Sequence, residues 1–142
     1  KFMQDNEYNF TFCNYRKKSK HKIINVVSEK DKISYFDLLT DCNIGLSTVF
    51  VKRDLIDENL FPTLKTKEDF VAWLKITKKN EFAHNYPEFL VEWSYSENSL
   101  SSNFFQKIFD SFRVYYIFLN FNFIKSLYYV TLLSINSIKR KI

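Results

Sequence analysis

The chain has a single glycine, Gly45, and two prolines among 142 residues. Glycine is the residue that reaches left-handed backbone conformations without steric cost and lets a backbone approach a phosphate closely. A chain this poor in glycine has little material for tight mirror-image turns and none for a glycine-rich phosphate loop. It must therefore be built from regular elements joined by ordinary turns, and it is not expected to hold a nucleotide by itself. Hydrophobic residues make up 46% and aromatic residues 19%, with 16 Phe, 9 Tyr and 2 Trp. That composition excludes a disordered polymer and is ample for one core, and the length suits one domain.

Local patterns give the elements. Tyr8, Phe10 and Phe12 alternate with polar neighbours, the period of a half-buried strand. The basic run Arg16-Lys17-Lys18-Ser19-Lys20-His21-Lys22 reads as a loop, and residues 23–27 as a second strand. Ser34 and Asp37 have the spacing of a capping box that opens a short helix through Leu38 and Leu39. Residues 47–52 are rich in β-branched side chains and read as a buried strand, followed by a helical turn over 53–58. Thr66 is placed as the N-cap of the next helix, with Phe70, Trp73, Leu74 and Thr77 on its apolar face. Residues 87–93 read as a strand. An aromatic helix starts at Ser102, a break falls at Asn120-Phe121-Asn122, and a last helix runs from Phe123 to about Ile138. Strands followed by terminal helices predict an α/β or α+β layered domain.

The net charge of +5 is concentrated in the run 16–22 and in Lys139-Arg140-Lys141. Such clusters suit anionic lipid, nucleic acid or phosphorylated substrates, with a solvated loop and tail as the plain alternative. Residues 115–135 are apolar and aromatic, but Asn120, Asn122 and Lys125 interrupt them. A helix lying in a membrane interface or packed on the protein's own core fits better than one that spans. Cys13 and Cys42 have neither metal-ligand nor disulfide spacing and are expected to be small buried residues. His84 has no recognisable catalytic partner and reads as structural or as a neighbour of a site.

Glu68 and Asp69 stand at a predicted helix start. Carboxylates there meet free backbone N–H groups and the positive end of the helix dipole, so capping alone would explain them. The order of features around them says more. Residues 36–53 (FDLLTDCNIGLSTVFVKR), Leu60-Phe61-Pro62, Glu68-Asp69 with Trp73-Leu74, and Ser99-Leu100-Ser101-Ser102-Asn103 together resemble the family 2 glycosyltransferases, in the family's order and near its spacing. The resemblance covers roughly residues 1–130. It implies a partial GT-A-like mixed sheet with flanking helices and a helical C-terminal extension. Residues 1–103 would be the acceptor-side portion of the catalytic domain and 104–142 the extension.

The resemblance further implies transfer of a sugar, with inversion, from a nucleotide-sugar donor to a glycan or lipid-linked acceptor. Asp69 would be the general base and Glu68 would shape the acceptor pocket. Trp73 would line that pocket or pack in the core. Ser47 and Thr48 would border the donor sugar, or simply begin a strand. The family usually places an aromatic–Arg pair before the Ser-Leu-Ser block, where this chain has Trp93-Ser94. The Asp-x-Asp motif that holds Mg²⁺ or Mn²⁺ in the family is absent here, so the metal ligands are expected outside this chain, on a nucleotide-binding half that precedes Lys1. Alone, the chain is expected to be inactive. The implied location is cytoplasmic, with peripheral contact at the inner face of the membrane. The alternative is a non-catalytic basic module for a membrane surface or nucleic acid, although no nucleic-acid motif supports the latter.

Overall fold

The computed structural model describes residues 1–18, 22–79, 81–94 and 104–139. The Ser-Leu-Ser block and parts of both basic clusters lie outside the described residues. The architecture is mixed α/β, a mixed sheet flanked by helices, with two helices at the C-terminal end.

Strand β1 (Phe10–Lys18) is central. On one side it runs parallel to the long β5 (Ala83–Ser94). Its other side is shared by two short antiparallel strands, β2 (Ile23–Val26) against Tyr15 to Lys18 and β4 (Val49–Val51) against Phe10 to Phe12. The two-residue β3 (Lys32–Ile33) pairs with the start of β5. The expected half-buried strand is in fact buried on both faces from Phe10 to Asn14. The basic run is also corrected: Arg16, Lys17 and Lys18 are strand, not loop. They are held there by pairing on both sides, with Asn25, Ile24 and Ile23 and with Glu92, Trp93 and Ser94.

The register between β1 and β5 shifts around Asn14, where Pro87 and Glu88 are passed over. Proline brings no N–H to a ladder, and the Asn14 side chain takes over. Its amide donates to the Pro87 carbonyl at 3.1 Å and its oxygen accepts from the Ser28 N–H at 3.0 Å.

Among the described residues five α-helices accompany the sheet. Beyond the one-turn α1 (Phe2–Asp5), α2 (Tyr35–Thr40) opens with the expected capping box between Ser34 and Asp37. Its last carbonyls are satisfied by distant side chains: Tyr115 Oη donates to Leu39 O at 2.7 Å and Asn136 Nδ2 to Thr40 O at 2.9 Å. Helix α3 (Glu68–Thr77) buries Phe70, Val71, Ala72, Trp73, Leu74 and Ile76. Helix α4 (Phe104–Arg113) continues into a π-helical turn at Val114–Phe118. The expected break follows, with Asn120 at φ 53°, and Asn122 Oδ1 caps α5 (Phe123–Lys139) by accepting from the Lys125 N–H at 2.8 Å. Val114, Tyr115, Val130 and Leu133 join Phe10, Phe12, Phe70 and Leu74 in one continuous core. No helix among the described residues is long and apolar enough to cross a membrane.

Residues 47–52 depart from the expected buried strand. Leu46–Thr48 is a 3₁₀ turn, and β4 that follows is only three residues long and at best half-buried. Thr48 decides this locally, because its hydroxyl and its N–H both return to the Gly45 carbonyl, at 2.8 and 3.0 Å.

Candidate functional site

Helix α3 does not begin as the spacing suggested. Thr66 is not its N-cap. Lys67 occupies that position in a left-handed conformation, φ 71°, with no side-chain cap. Thr66 is diverted to α4, where its N–H and its hydroxyl donate to Asp110 Oδ2 at 3.0 and 2.9 Å. Gln106 Nε2 adds a third donor at 3.0 Å and Arg113 a longer contact at 3.4 Å to Oδ1. The Asp110 side chain is fully buried. Burial favours its protonation, but the hydrogen bonds from Gln106 and Thr66 and the Arg113 charge prevail and hold the carboxyl below the usual aspartate range. Asp110 thus anchors the segment that delivers Lys67, Glu68 and Asp69. One sequence signal could have revealed it, a lone carboxylate in the aromatic stretch FFQKIFDSFR.

A non-glycine residue at φ 71° carries roughly 1–2 kcal/mol of steric cost, offset in part by the Lys67 ammonium lying 5.6 Å from the centre of the Phe70 ring. Lys67→Gly is therefore expected to raise the melting temperature by about 3 °C. A lower value in a thermal melt would show that the side-chain contact outweighs the backbone cost.

Asp69 is half-buried at the first turn of α3. Its Oδ1 accepts from the Phe70 N–H at 2.7 Å. The free N–H groups and dipole of a helix start favour the ionised form, but the net shift here goes the other way. Burial outweighs the Phe70 N–H and the nearby Lys67 charge and raises its pKa, with Glu68 adding to the rise. Asp69 therefore holds a proton more readily than an exposed aspartate. Glu68, also half-buried, has one carboxylate oxygen, Oε2, that is shielded and accepts no hydrogen bond.

The Cys42 thiol, pushed up to about 12 by burial and secondarily by the Asp69 carboxylate, is protonated and no nucleophile. Trp73 is only 2% exposed and packs its ring against Phe10 and Phe61, the packing alternative for that residue. Thr48 is sealed at 1% exposure while Ser47 is exposed. Their turn rests mainly on β1 and β5, not on α3. His84 stacks on Tyr8 with ring centroids 3.6 Å apart. Its pKa is lowered by burial and then by Lys32.

Beside α3 runs a groove of about 770 Å³ between the β1–β2 hairpin and helices α4 and α5. Lys67 and Cys42, both within electrostatic reach of Asp69, stand in its wall. Among the described residues no three His, Cys, Asp or Glu side chains converge as a metal site. The described residues do not offer the ligand set that the Mg²⁺ or Mn²⁺ of the family resemblance would need.

Comparison with known proteins decides the kinship. The UDP-Glc:alpha-D-GlcNAc-diphosphoundecaprenol beta-1,3-glucosyltransferase WfgD of Escherichia coli is 34% identical over 107 residues, which covers 75% of this chain and 42% of WfgD. The putative teichuronic acid biosynthesis glycosyltransferase TuaG of Bacillus subtilis is 24% identical over 143 residues, covering 99% of this chain and 57% of TuaG. WfaP of Escherichia coli, named as the same kind of glucosyltransferase as WfgD, is 31% identical over 107 residues, 75% of this chain and 42% of WfaP. This chain is a relative of bacterial glycosyltransferases. It spans about half the length of the curated relatives it matches. No family model and no solved structure matches it.

Proposed function

We propose that the chain is the acceptor-side portion of an inverting, family 2 glycosyltransferase of GT-A type, a hexosyltransferase that moves a sugar from a nucleotide donor to a glycan or lipid-linked acceptor. The observation that carries this reading is Asp69, a half-buried carboxylate of raised proton affinity at the start of α3, in a chain whose relatives transfer sugars to diphospholipid-linked acceptors by name.

The chemistry follows from that carboxylate. An acceptor hydroxyl becomes acidic only as its oxygen bonds to the anomeric carbon, so the base must take the proton late in the step. A carboxylate with increased affinity for a proton does this better than an ordinary aspartate. The Phe70 N–H fixes Oδ1, and on this reading Oδ2 is the oxygen that takes the hydroxyl proton. The new bond joins acceptor oxygen to anomeric carbon, the bond to the donor's diphosphate breaks, and the proton ends on Asp69. Glu68, half-buried beside it, shapes the acceptor pocket. Ser47, exposed beside the sheet, is the donor-side candidate, and Thr48 holds its turn.

On this reading residues 1–103 belong to the catalytic domain and 104–142 form a helical extension packed on the same core. The nucleotide, the divalent ion and its Asp-x-Asp ligands belong to the other half of the parent enzyme, so residues 1–142 alone are inactive. The enzyme works in the cytoplasm at the inner face of the membrane, where lipid-linked acceptors are displayed. The test is product stereochemistry. The parent enzyme, given an α-linked nucleotide hexose and a lipid-linked acceptor, is expected to form the β-glycoside, seen as a large anomeric proton coupling by NMR. An α-glycoside would contradict a single displacement assisted by Asp69.

A further inference from the structure

The groove beside α3 has a composition that neither the proposed base chemistry nor the core explains. Five lysines stand along it, Lys17, Lys18, Lys22, Lys67 and Lys107, against Glu29 in the wall and Glu92, which pairs with Lys18 at 3.1 Å. The remaining wall is largely apolar. Ile24 and Val26 come from β2, Phe104 and Ile108 from α4, and Leu133 and Ile138 from α5. Tyr15 and Trp93 also line the groove, but a site for a nucleic acid would not need its aliphatic walls. A purely apolar groove would need no lysines. Lysines and aliphatic surface in one groove match a ligand that carries both an anionic group and a hydrocarbon chain.

The apolar wall also continues outward. Phe104 is 57% exposed and Ile138 52%, and next to Phe104 the Phe105 ring is 82% exposed. A hydrocarbon chain leaving the groove along α4 would therefore stay on apolar surface. The anionic end is placed by Lys67, which lines the groove and acts electrostatically on Asp69. In a sugar linked through a diphosphate to a lipid, the reacting hydroxyl and the diphosphate are separated by one sugar ring; Lys67, two residues before Asp69, links the groove to that carboxylate, which is not itself among the groove's lining residues.

We infer that this groove is the seat of the acceptor's lipid-linked diphosphate, with the lysines of β1, the β1–β2 hairpin, α3 and α4 holding the phosphates and the α4–α5 wall receiving the first part of the lipid chain. The inference rests on the transferase reading above and adds to it the place of the acceptor's anchor.

The test is flotation of the 142-residue chain with phosphatidylcholine vesicles that carry a small fraction of a polyprenyl diphosphate. Parallel arms use vesicles with phosphatidylglycerol at equal surface charge and inorganic pyrophosphate as a soluble competitor. Binding to the polyprenyl diphosphate vesicles is expected to be at least tenfold tighter than to the phosphatidylglycerol vesicles. The double variant Lys22→Gln/Lys107→Gln is expected to lose roughly 30-fold, about a factor of five for each lysine. Lys78→Gln/Lys79→Gln, which removes the same charge outside the groove, is expected to bind as the unaltered chain does. Equal binding to both anionic vesicles, equal losses in the two double variants, or pyrophosphate binding as tightly as the lipid would each overturn the inference. Asp69→Asn separates the two readings. It is expected to retain full vesicle binding, so transfer lost with binding kept bears only on the base. Undiminished transfer by Lys22→Gln/Lys107→Gln in the parent enzyme would reject the groove and leave the transferase standing.

Discussion

Asp110→Ala lowers the stability of the fold by about 3–5 kcal/mol, the range for removing one partner from a buried, charged hydrogen-bond cluster. The variant leaves the buried Thr66 N–H and hydroxyl, and the part-buried Gln106 amide, without their common acceptor. The melting temperature is expected to fall by 10 °C or more. The wild-type protein also carries a pH signature of this group. A carboxyl whose folded pKa is depressed contributes stability that is fully present above its unfolded value near 4 and is lost as pH falls through the folded value. For Asp110 the shift is downward, so acidification below about pH 4 removes this contribution. Asp110→Asn is expected to be less stable at neutral pH and to lack this part of the acid transition. Denaturation followed at pH 7 and pH 3 checks both points, and an Asp110→Ala variant within 1 kcal/mol of wild type would show that Thr66 has an alternative partner. Because Asp110 holds the chain immediately before Lys67, its loss also loosens the carboxylates of α3.

Asp69→Asn is expected to cut sugar transfer by the parent enzyme about 10²–10⁴-fold, the usual worth of a positioned general base, with little change in acceptor binding. Asparagine keeps the oxygen that accepts from the Phe70 N–H and loses only the ability to take a proton. Stability should move the other way. Burial makes the charged form of Asp69 costly, so the neutral variant is expected to melt at the same temperature as wild type or slightly above it. A residue that capped α3 and did nothing else would leave transfer preserved, because asparagine caps a helix as well as aspartate does.

What could be read from the sequence was what neighbours in the chain decide. The Ser34–Asp37 capping box, the apolar face of α3 and the break at Asn120 all depend on residues within one or two helical turns, and each stands where the pattern put it. The features that escaped depend on distant partners. Arg16, Lys17 and Lys18 look like a solvated loop, yet β2 and β5 draw them into the sheet. Thr66 has the spacing of an N-cap to Asp69, yet a carboxylate 44 residues away competes for its hydroxyl and wins. Burial of Asp69 likewise depends on tertiary packing, which no local spacing encodes. The groove lysines come from four separate segments, so their convergence was invisible until the sheet and the C-terminal helices were in place.

The most direct measurement is the pH dependence of kcat for sugar transfer by the parent enzyme, taken with wild type and Asp69→Asn side by side. Transfer needs the carboxylate form, so the wild-type rate should climb with pH through an apparent pKa above the ordinary aspartate value, as burial of Asp69 demands, and then level off. The variant should show its small residual rate without that acid limb. A variant that keeps both the wild-type rate and the same acid limb would contradict the account, because some group other than Asp69 would then be taking the proton.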